Sequence, residues 1–306
     1  MHPIKLRPVL PGSTVGLITP ASSVDPKKMA PGLAMLEKLG YSYKFGTHAL
    51  SKNEMTAASP QQRLADIYEF LEDDEIEAIW AIRGGYGTPQ LLDLMDYSLL
   101  REYPKLIIGF SDVTALQWAV YEKTKLATLS GLTLTLQLRE DNPYLSTTVD
   151  LLSGSKTRII PENLLPEKLT VYQKGEAEGV LLGGTLSMVC ALCGTPYFPT
   201  DNDIILFIED IDEPLYRIDR LLRQLYLCGF LEKVRGLILG KFLDADKQHD
   251  VYPLLKTLLP SGIPVVGNYP YGHLRDSVAM PIGVQATLAT DPFMLEWQPF
   301  MESIIA

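Results

Sequence analysis

Residues 105–123 read KLIIGFSDVTALQWAVYEK and contain the pattern from which the fold is predicted. The first six residues form an apolar run and predict a buried strand, Lys105–Phe110. Apolar residues then recur at helical spacing from Val113 to Val120, which predicts a helix over Asp112–Lys123. A strand that passes through a tight turn into a helix is one βα unit of a parallel sheet.

The same alternation of short apolar runs and helical patterns extends over the first part of the chain. The predicted strands are Thr14–Thr19, Tyr41–Phe45, Ile76–Ile82, Lys105–Phe110 and Leu126–Ser130. The predicted helices are Pro26–Leu39, Pro60–Asp73, Thr88–Met95 and Asp112–Lys123. Repeated βα units predict a doubly wound parallel sheet covered by helices. Such sheets bind ligands beyond the carboxyl ends of their strands, so we expect functional residues in those loops.

Beyond this region the pattern is interrupted and then resumes as a second α/β or α+β domain. The predicted strands are Gly179–Leu182, Ile204–Ile208, Gly236–Lys241, Ile263–Gly267 and Gly283–Leu288. The predicted helices are Leu145–Leu152 in the interruption, then Thr185–Cys193, Leu215–Leu227 and Val251–Leu259. We therefore divide the chain into an N-terminal domain at residues 1–138, a connector at 139–168 and a C-terminal domain at 169–306.

Composition restricts the class of protein. The chain has 306 residues, 46% hydrophobic and 21% charged, which is typical of a globular protein with a large core. Its net charge of −10 repels phosphate backbones, so nucleic acid is not expected as a partner. We see no signal peptide and no apolar run long enough to span a membrane. The 3 cysteines indicate no disulfide framework, and a cytoplasmic location is expected.

Ser111 lies in the turn between the predicted strand Lys105–Phe110 and its helix. A serine in such a turn exposes its hydroxyl beside free N–H groups, as a nucleophile requires. The alternative is that Ser111 or Asp112 only caps the helix. Val113 replaces the second glycine of the G-x-S-x-G motif, which disfavours an ordinary α/β-hydrolase. Ser22 and Ser23, which follow the first strand, are rival nucleophiles.

Residues 81–87, AIRGGYG, end another strand and precede a predicted helix. Three glycines allow the backbone to approach a ligand and to turn its N–H groups inward. The Lys-Ser/Thr of a phosphate-binding Walker loop is missing, so an oxyanion or substrate loop is the preferred functional interpretation. A plain βα turn is the alternative.

The 4 histidines leave few choices for a general base. His2 is in the N-terminal tail, whereas His48 and His249 fall in segments expected to be exposed. His273 follows a predicted strand in Tyr-Pro-Tyr-Gly-His and is the best candidate, although a structural histidine is an alternative. Glu209 ends an apolar strand, where a partly buried carboxylate can orient a histidine.

Two other possibilities concern metals and thiols. The acidic residues after the strand Ile204–Ile208 lack the spacing of a known cation loop, so no metal is expected. Cys190 and Cys193 form a C-x-x-C without a second ligand pair, and we interpret them as small core residues one turn apart. Cys228 is interpreted as ordinary packing after a helix.

Several of these motifs together resemble the LD-carboxypeptidases, the serine peptidase family that includes muramoyltetrapeptide carboxypeptidase. The matching motifs, in chain order, are GLITPAS, RGGYG, GFSD, LLGGTLSMV, GTPYFP, FIED, YRIDRLLRQL and YGH. The resemblance implies a triad of Ser111 as nucleophile, His273 as base and Glu209 as orienting acid. It also implies an oxyanion hole at the backbone N–H groups of Gly85 and Asp112.

The resemblance implies further properties of the chain. They are an N-terminal flavodoxin-like or amidotransferase-like domain with a doubly wound parallel sheet, a C-terminal swivelling β/β/α domain, frequent homodimers and no cofactor. One departure is visible, because Thr185 stands where the family often has Asn after the glycine pair. That difference affects substrate positioning rather than the triad.

The reaction that the resemblance implies is hydrolysis between an L-configured centre, typically of diaminopimelate, and terminal D-alanine in cytoplasmic murein tetrapeptide. Arg83 and Arg275 are candidate partners for substrate carboxylates, and Tyr86 is a further substrate-binding candidate. One alternative is a microcin C immunity-type peptidase with the same triad, acting on peptidyl or aminoacyl adenylates. The other is a non-enzymatic flavodoxin-like protein that binds a small molecule.

Overall fold

Two β-sheets form the centre of the computed structural model, which describes residues 4–164, 168–245 and 247–303. The strands are β1 Thr14–Ile18, β2 Ser42–Phe45, β3 Ile76–Ala81, β4 Leu106–Gly109, β5 Thr128–Ser130, β6 Arg158–Ile159, β7 Thr170–Gln173, β8 Glu176–Thr185, β9 Ile204–Ile211, β10 Val234–Asp244, β11 Lys247–Gln248, β12 Val265–Gly267, β13 Met280–Ile282, β14 Val284–Thr290 and β15 Phe293–Trp297. The helices are α1 Pro26–Lys38, α2 Pro60–Glu72, α3 Tyr97–Glu102, α4 Thr114–Thr124, α5 Leu145–Leu152, α6 Leu186–Ala191, α7 Leu215–Leu227 and α8 Tyr252–Leu255.

The first sheet has the strand order β13-β5-β4-β3-β1-β2. Strands β1 to β5 are mutually parallel and follow the flavodoxin-like order 2-1-3-4-5, which confirms the predicted doubly wound sheet. Strand β13 is antiparallel to β5. It comes from the part of the chain that the sequence assigned to the C-terminal domain, so the first sheet includes a strand from that segment. The domain division remains a proposal.

The second sheet has the order β6-β15-β14-β8-β9-β10-β12-β7, with β11 paired to β10. Its centre, from β8 to β12, is parallel, and the strands on both outer sides are antiparallel. All five strands predicted for this region overlap observed ones. The short strands β6, β7 and β11 and the outer strand β15 were not predicted.

Two predicted helices differ from the observed ones. The helix expected at Thr88–Met95 is a 3-10 turn over Thr88–Leu91, and helix α3 begins separately because the Asp96 side chain accepts a hydrogen bond from the Ser98 N–H. The helix expected at Val251–Leu259 is regular only over α8. Among the described residues, no helix is both long enough and apolar enough to cross a membrane.

Helix α4 packs between the two sheets. Its residues from Thr114 to Tyr121 are all buried, because β5 lies on one side and β8 and α6 lie on others. The Trp118 indole N–H donates to the Gly183 carbonyl of β8 at 2.8 Å, and its ring packs against Phe198 and Phe230. This helix therefore fixes the end of β4 relative to the end of β8.

We expect Trp118→Phe to lower the free energy of unfolding, because it removes both ring volume and the hydrogen bond to Gly183. A net hydrogen bond contributes about 1 kcal/mol, in addition to the loss of packing. Urea denaturation of the variant and the wild type measures the difference.

Trp297→Phe is the matched control. Trp297 is also buried, but its indole N–H has no hydrogen-bond partner among the described residues. Trp297→Phe should therefore lower the free energy of unfolding by about 1 kcal/mol less than Trp118→Phe does. Equal losses in the two variants would show that the hydrogen bond between α4 and β8 contributes nothing.

Candidate active site

Ser111 lies just beyond the end of β4, at the first position of a 3-10 turn that leads into α4. Its φ angle is 65°, in the left-handed region that a non-glycine residue rarely adopts. Phe110 before it is extended, so the chain turns sharply at the serine. Backbone strain of this kind persists where the surrounding structure enforces it, and it is concentrated at functional sites.

His273 connects Ser111 with Glu209. Its Nε2 atom is 2.8 Å from Ser111 Oγ, and its Nδ1 atom is 2.8 Å from Glu209 Oε2. The backbone N–H of His273 donates to the same carboxylate oxygen at 3.2 Å. The structure therefore brings together, from three separate loops and strand ends, the three residues that the sequence singled out.

Glu209 is fully buried, with 0% of its surface exposed. Its second oxygen, Oε1, accepts a hydrogen bond from the Thr185 hydroxyl at 2.6 Å. Thr185 therefore contacts the orienting acid itself, and the expectation that this position affects only substrate positioning is wrong. Thr185 and Glu209 are register partners at the carboxyl ends of the adjacent parallel strands β8 and β9. Both carboxylate oxygens are thus hydrogen-bonded, which offsets part of the cost of burying the charge.

The environment of His273 favours its protonated form. Burial alone would lower the pKa of this imidazole, but the charge and hydrogen bond of Glu209 outweigh burial, and the pKa lies above its usual value of 6.5. The ring also packs against Phe110, with centroids 4.6 Å apart. A histidine held in this way can accept a proton from Ser111 and keep its orientation as an imidazolium.

Asp210 is the next residue along β9, and its carboxylate has different partners. It accepts hydrogen bonds from the backbone N–H groups of Ser187 at 2.7 Å and Ile211 at 2.9 Å. Burial, followed by the charge of Glu209, raises the pKa of Asp210 to about 7. Strand alternation thus directs Glu209 to the histidine and Asp210 to the first turn of α6.

The glycine loop lies against the turn at Ser111. A Cβ atom on Gly84 would come within 2.8 Å of Ser111 Cβ and 3.2 Å of the Asp112 nitrogen, so only glycine permits this approach. Gly85 has a φ of 124°, which also favours glycine. The loop therefore brings its backbone beside the serine, where an oxyanion or substrate loop was predicted.

Two buried side chains hold this loop. The Asp112 carboxylate accepts a hydrogen bond from the Thr88 N–H at 2.7 Å, and the Arg63 guanidinium donates to the Gly87 carbonyl at 2.9 Å. Burial raises the pKa of Asp112, against the opposing effects of Thr88 and Arg63. Arg63 also donates to the Pro20 carbonyl in the loop after β1, so one cation connects two loops.

The rival serines are placed differently. The Ser22 hydroxyl accepts a hydrogen bond from the Tyr86 N–H at 3.0 Å and donates to the Met55 carbonyl at 3.3 Å. The Ser23 carbonyl accepts from Arg83 Nη1 at 3.2 Å. Both serines thus support the glycine loop, and neither has a histidine as hydrogen-bond partner in the described part of the chain.

The other histidines lie apart from this cluster. His48 Nδ1 is 2.9 Å from Asp66 Oδ1, so it is half-buried in a separate pair and not simply exposed as expected. His249 is also half-buried, with its Nε2 3.6 Å from Asp244. His2 lies outside the described residues.

Two of the three substrate-binding candidates, Arg83 and Tyr86, belong to the glycine loop, and the third, Arg275, belongs to the loop of His273. Arg83 is half-buried and also donates to the Gly84 carbonyl at 3.2 Å. Tyr86 is 54% exposed, and Arg275 is exposed two residues after His273, 3.9 Å from Asp141. Their role in binding remains a prediction.

No group of three or more histidine, cysteine or acidic residues within ranges 4–164, 168–245 and 247–303 has the arrangement of a metal site. The expectation that the protein works without metal or cofactor remains a prediction.

Sequence reasoning missed the supporting residues. One feature of the sequence could have predicted the contact of Thr185 with Glu209, because both residues directly follow the apolar cores of neighbouring parallel strands. Arg63 gave no such signal, because an arginine on a helix is normally exposed. Tyr271, whose hydroxyl is 2.7 Å from Ser130 Oγ and whose ring packs edge-on against Phe110, was also missed.

The geometry suits acyl transfer by a serine nucleophile. Ser111, His273 and Glu209 form a continuous hydrogen-bonded chain in which a base contacts the hydroxyl and a carboxylate orients the base. The backbone of the glycine loop lies beside the serine, as donors to a developing oxyanion must.

Comparisons with known proteins agree with this chemistry. The model of the LD-carboxypeptidase N-terminal domain matches residues 15–131, and that of the LD-carboxypeptidase C-terminal domain matches residues 178–288. A probable murein peptide carboxypeptidase of Bacillus subtilis is 36% identical over 91% of this chain and 89% of its own. The microcin C7 self-immunity protein MccF of Escherichia coli is 28% identical over 95% of this chain and 94% of its own.

A solved structure gives the same result. The crystal structure of muramoyltetrapeptide carboxypeptidase from Oxalobacter formigenes superimposes with a TM-score of 0.80 at 28% identity, covering 95% of this chain and 100% of that one. Both halves of the sequence and the complete fold are thus similar to these peptidases. The chain belongs to the LD-carboxypeptidase family of serine peptidases.

Proposed function

We propose that this enzyme removes the terminal D-alanine from a murein tetrapeptide by hydrolysing its bond to the L-configured centre of diaminopimelate, in the cytoplasm, during peptidoglycan recycling. The observation that carries the proposal is the hydrogen-bonded chain from Ser111 through His273 to Glu209. The names of the similar murein peptide carboxypeptidases support the choice of substrate.

In the proposed mechanism, Ser111 Oγ attacks the carbonyl carbon of the bond to D-alanine while His273 Nε2 takes the hydroxyl proton. Glu209 holds the imidazole by its Nδ1–H and stabilises the positive charge that forms. The backbone N–H groups of Gly85 and Asp112 donate to the oxyanion. His273 then protonates the departing amine, and water, activated by the same histidine, releases the acyl group.

Substrate recognition is proposed to depend on the charged rim of the site. Arg83 and Arg275 each offer a guanidinium fork that can pair with a carboxylate, and a murein tetrapeptide carries several carboxylates. The exposed ring of Tyr86 would pack on the peptide beside the glycine loop. We also propose that the enzyme acts as a homodimer.

A second candidate activity is cleavage of aminoacyl or peptidyl adenylates. The similarity to MccF, which extends over 95% of this chain, favours it. Incubation with an aminoacyl sulfamoyl adenosine distinguishes the two: we expect slow or no cleavage of this compound and rapid release of D-alanine from the tetrapeptide.

We expect Ser111→Ala to reduce kcat by a factor on the order of 10⁶, the size of effect known for triad serines in subtilisin. Its far-ultraviolet circular dichroism and unfolding midpoint should remain those of the wild type. Ser23→Ala is the control, since only its backbone carbonyl contacts the glycine loop, and it should keep full activity. A Ser111 variant within tenfold of wild type would refute the assignment.

Glu209→Gln should reduce kcat by about 10⁴, because an amide cannot stabilise the imidazolium and can hold the wrong tautomer. Asp210→Asn should keep a kcat within about tenfold of the wild type, because Asp210 contacts α6 and not the histidine. Its main effect should be on the free energy of unfolding. Steady-state kinetics of both purified variants give the comparison. If Asp210→Asn, and not Glu209→Gln, shows the large loss of kcat, the orienting acid has been misassigned.

The pH profile gives an independent test of the same pair. The rate kcat/KM requires neutral His273, so it rises with pH through the pKa of that residue in the free enzyme. Glu209→Gln removes the negative charge and the hydrogen bond that raise this pKa, so the acidic limb of its residual activity should move to lower pH. A limb at higher pH would contradict the proposed electrostatics.

The substrate assignment is tested with three peptides. We expect D-alanine release from a tetrapeptide that ends in diaminopimelate and D-alanine, but no release from an L-alanine analogue and no cleavage between the two D-alanines of the pentapeptide. Sites that hydrogen-bond one configuration reject the other by about 10⁴ in kcat/KM. Mass spectrometry of the products measures each rate. Similar rates on the D- and L-alanine peptides would leave the triad intact but remove the proposed specificity.

A further inference from the structure

Three thiols lie close together beside the second sheet: the two of the C-x-x-C motif and a third from a later segment of the chain. Cys190 is in helix α6, Cys193 follows that helix by two residues, and Cys228 directly follows α7. The Sγ atoms of Cys193 and Cys228 are 4.0 Å apart, although 35 residues separate them in the chain. All three are free thiols. The fold therefore adds a third thiol to the C-x-x-C motif.

The surroundings of Cys193 and Cys228 permit them to move closer. Cys228 is exposed and Cys193 is half-buried. Each is followed by a glycine with positive φ, 81° at Gly194 and 77° at Gly229. A Cβ on either glycine would meet nothing within 4 Å, so both turns are open to solvent. A disulfide needs a sulfur separation of about 2 Å, which small rotations in two open turns can provide.

Cys190 is placed differently from this pair. It is buried in α6, where its thiol donates to the Leu221 carbonyl of α7 at 3.3 Å. Hydrogen bonding with Cys190, and also with Cys228, lowers the pKa of the Cys193 thiol, against the opposing effect of burial. A thiol with more thiolate character reacts faster with oxidants. Cys193 is thus the thiol that we expect to react first with an oxidant, and the exposed Cys228 is the thiol that can then form a disulfide with it.

We propose that Cys193 and Cys228 form an oxidisable dithiol that a peroxide converts into a disulfide between the ends of α6 and α7. The Cys193 thiolate attacks the O–O bond of the peroxide, which gives a sulfenic acid and releases one water after proton transfer. The Cys228 thiol then attacks the sulfenic sulfur and displaces a second water. In total, two thiols lose two protons and two electrons to hydrogen peroxide, which becomes two waters.

The position of the bond has a consequence for the fold. Helix α6 begins directly after Thr185, the partner of Glu209, and its first turn contains Ser187, the partner of Asp210. A bond between Cys193 and Cys228 closes a long loop of chain and restricts the unfolded state. The oxidised protein should therefore unfold at a higher temperature than the reduced one.

The experiment treats the purified full chain with a small excess of hydrogen peroxide and measures thiols, mass and the unfolding midpoint. We expect three free thiols to become one, the mass to fall by about 2 Da as two hydrogens leave, and proteolysis to yield a peptide that joins Cys193 to Cys228. Dithiothreitol should reverse each change, and the midpoint should be higher only while the bond is present.

Two variants make the result specific. Cys190→Ala should still form the bond, whereas Cys228→Ser should stop at a sulfenic acid on Cys193, which dimedone traps. Three thiols that survive peroxide, a bond from Cys190 to Cys193, or a bond between two chains through Cys228 would each overturn the proposal. None of these measurements depends on the substrate.

Discussion

The buried carboxylate of Glu209 is the constraint on which the arrangement of the site depends. A charge with no exposed surface is tolerated only when hydrogen bonds replace the water that it has lost. Here the Thr185 hydroxyl donates a hydrogen bond to one carboxylate oxygen, and the imidazole and backbone N–H of His273 donate to the other. The carboxylate therefore requires the register of β8 and β9 and the conformation of the loop after β12 at the same time. Its burial links the second sheet to the orientation of the histidine.

The serine comes from the other sheet, and helix α4 determines where it lies. The same helix that begins after Ser111 is buried on nearly all sides and bonds through Trp118 to β8, the strand that ends at Thr185. Thr114 in its first turn accepts a hydrogen bond from the Thr185 N–H at 3.3 Å. Positions of the nucleophile and of the orienting acid are thus coupled through a few contacts between the sheets. The contacts at this boundary therefore help to set the distance between Ser111 and His273.

Much of this arrangement follows from local sequence patterns. The alternation of apolar runs and helical spacing predicted the parallel first sheet, and the turn at Ser111 predicted an exposed hydroxyl. The features that the sequence did not predict are contacts between distant segments. Strand β13 pairs with β5, from which it is separated by about half of the chain. Thr185 contacts Glu209 on the neighbouring strand, and Cys228 contacts Cys193 near the end of another helix. The helix expected at Thr88–Met95 failed because Asp112 and the Asp96 cap impose a turn instead. No periodicity in a single segment contains these interactions.

The central claim is that Ser111 forms the covalent intermediate, and an ester substrate tests it most directly. In a tetrapeptide analogue in which D-lactate replaces D-alanine, acylation should be faster than deacylation, so the acyl-enzyme should accumulate. Acid quenching during turnover, followed by peptide mapping by mass spectrometry, locates the acyl group. The account predicts one adduct, on the peptide that contains Ser111, and none in S111A. An adduct on another residue, or undiminished hydrolysis by S111A, would contradict it.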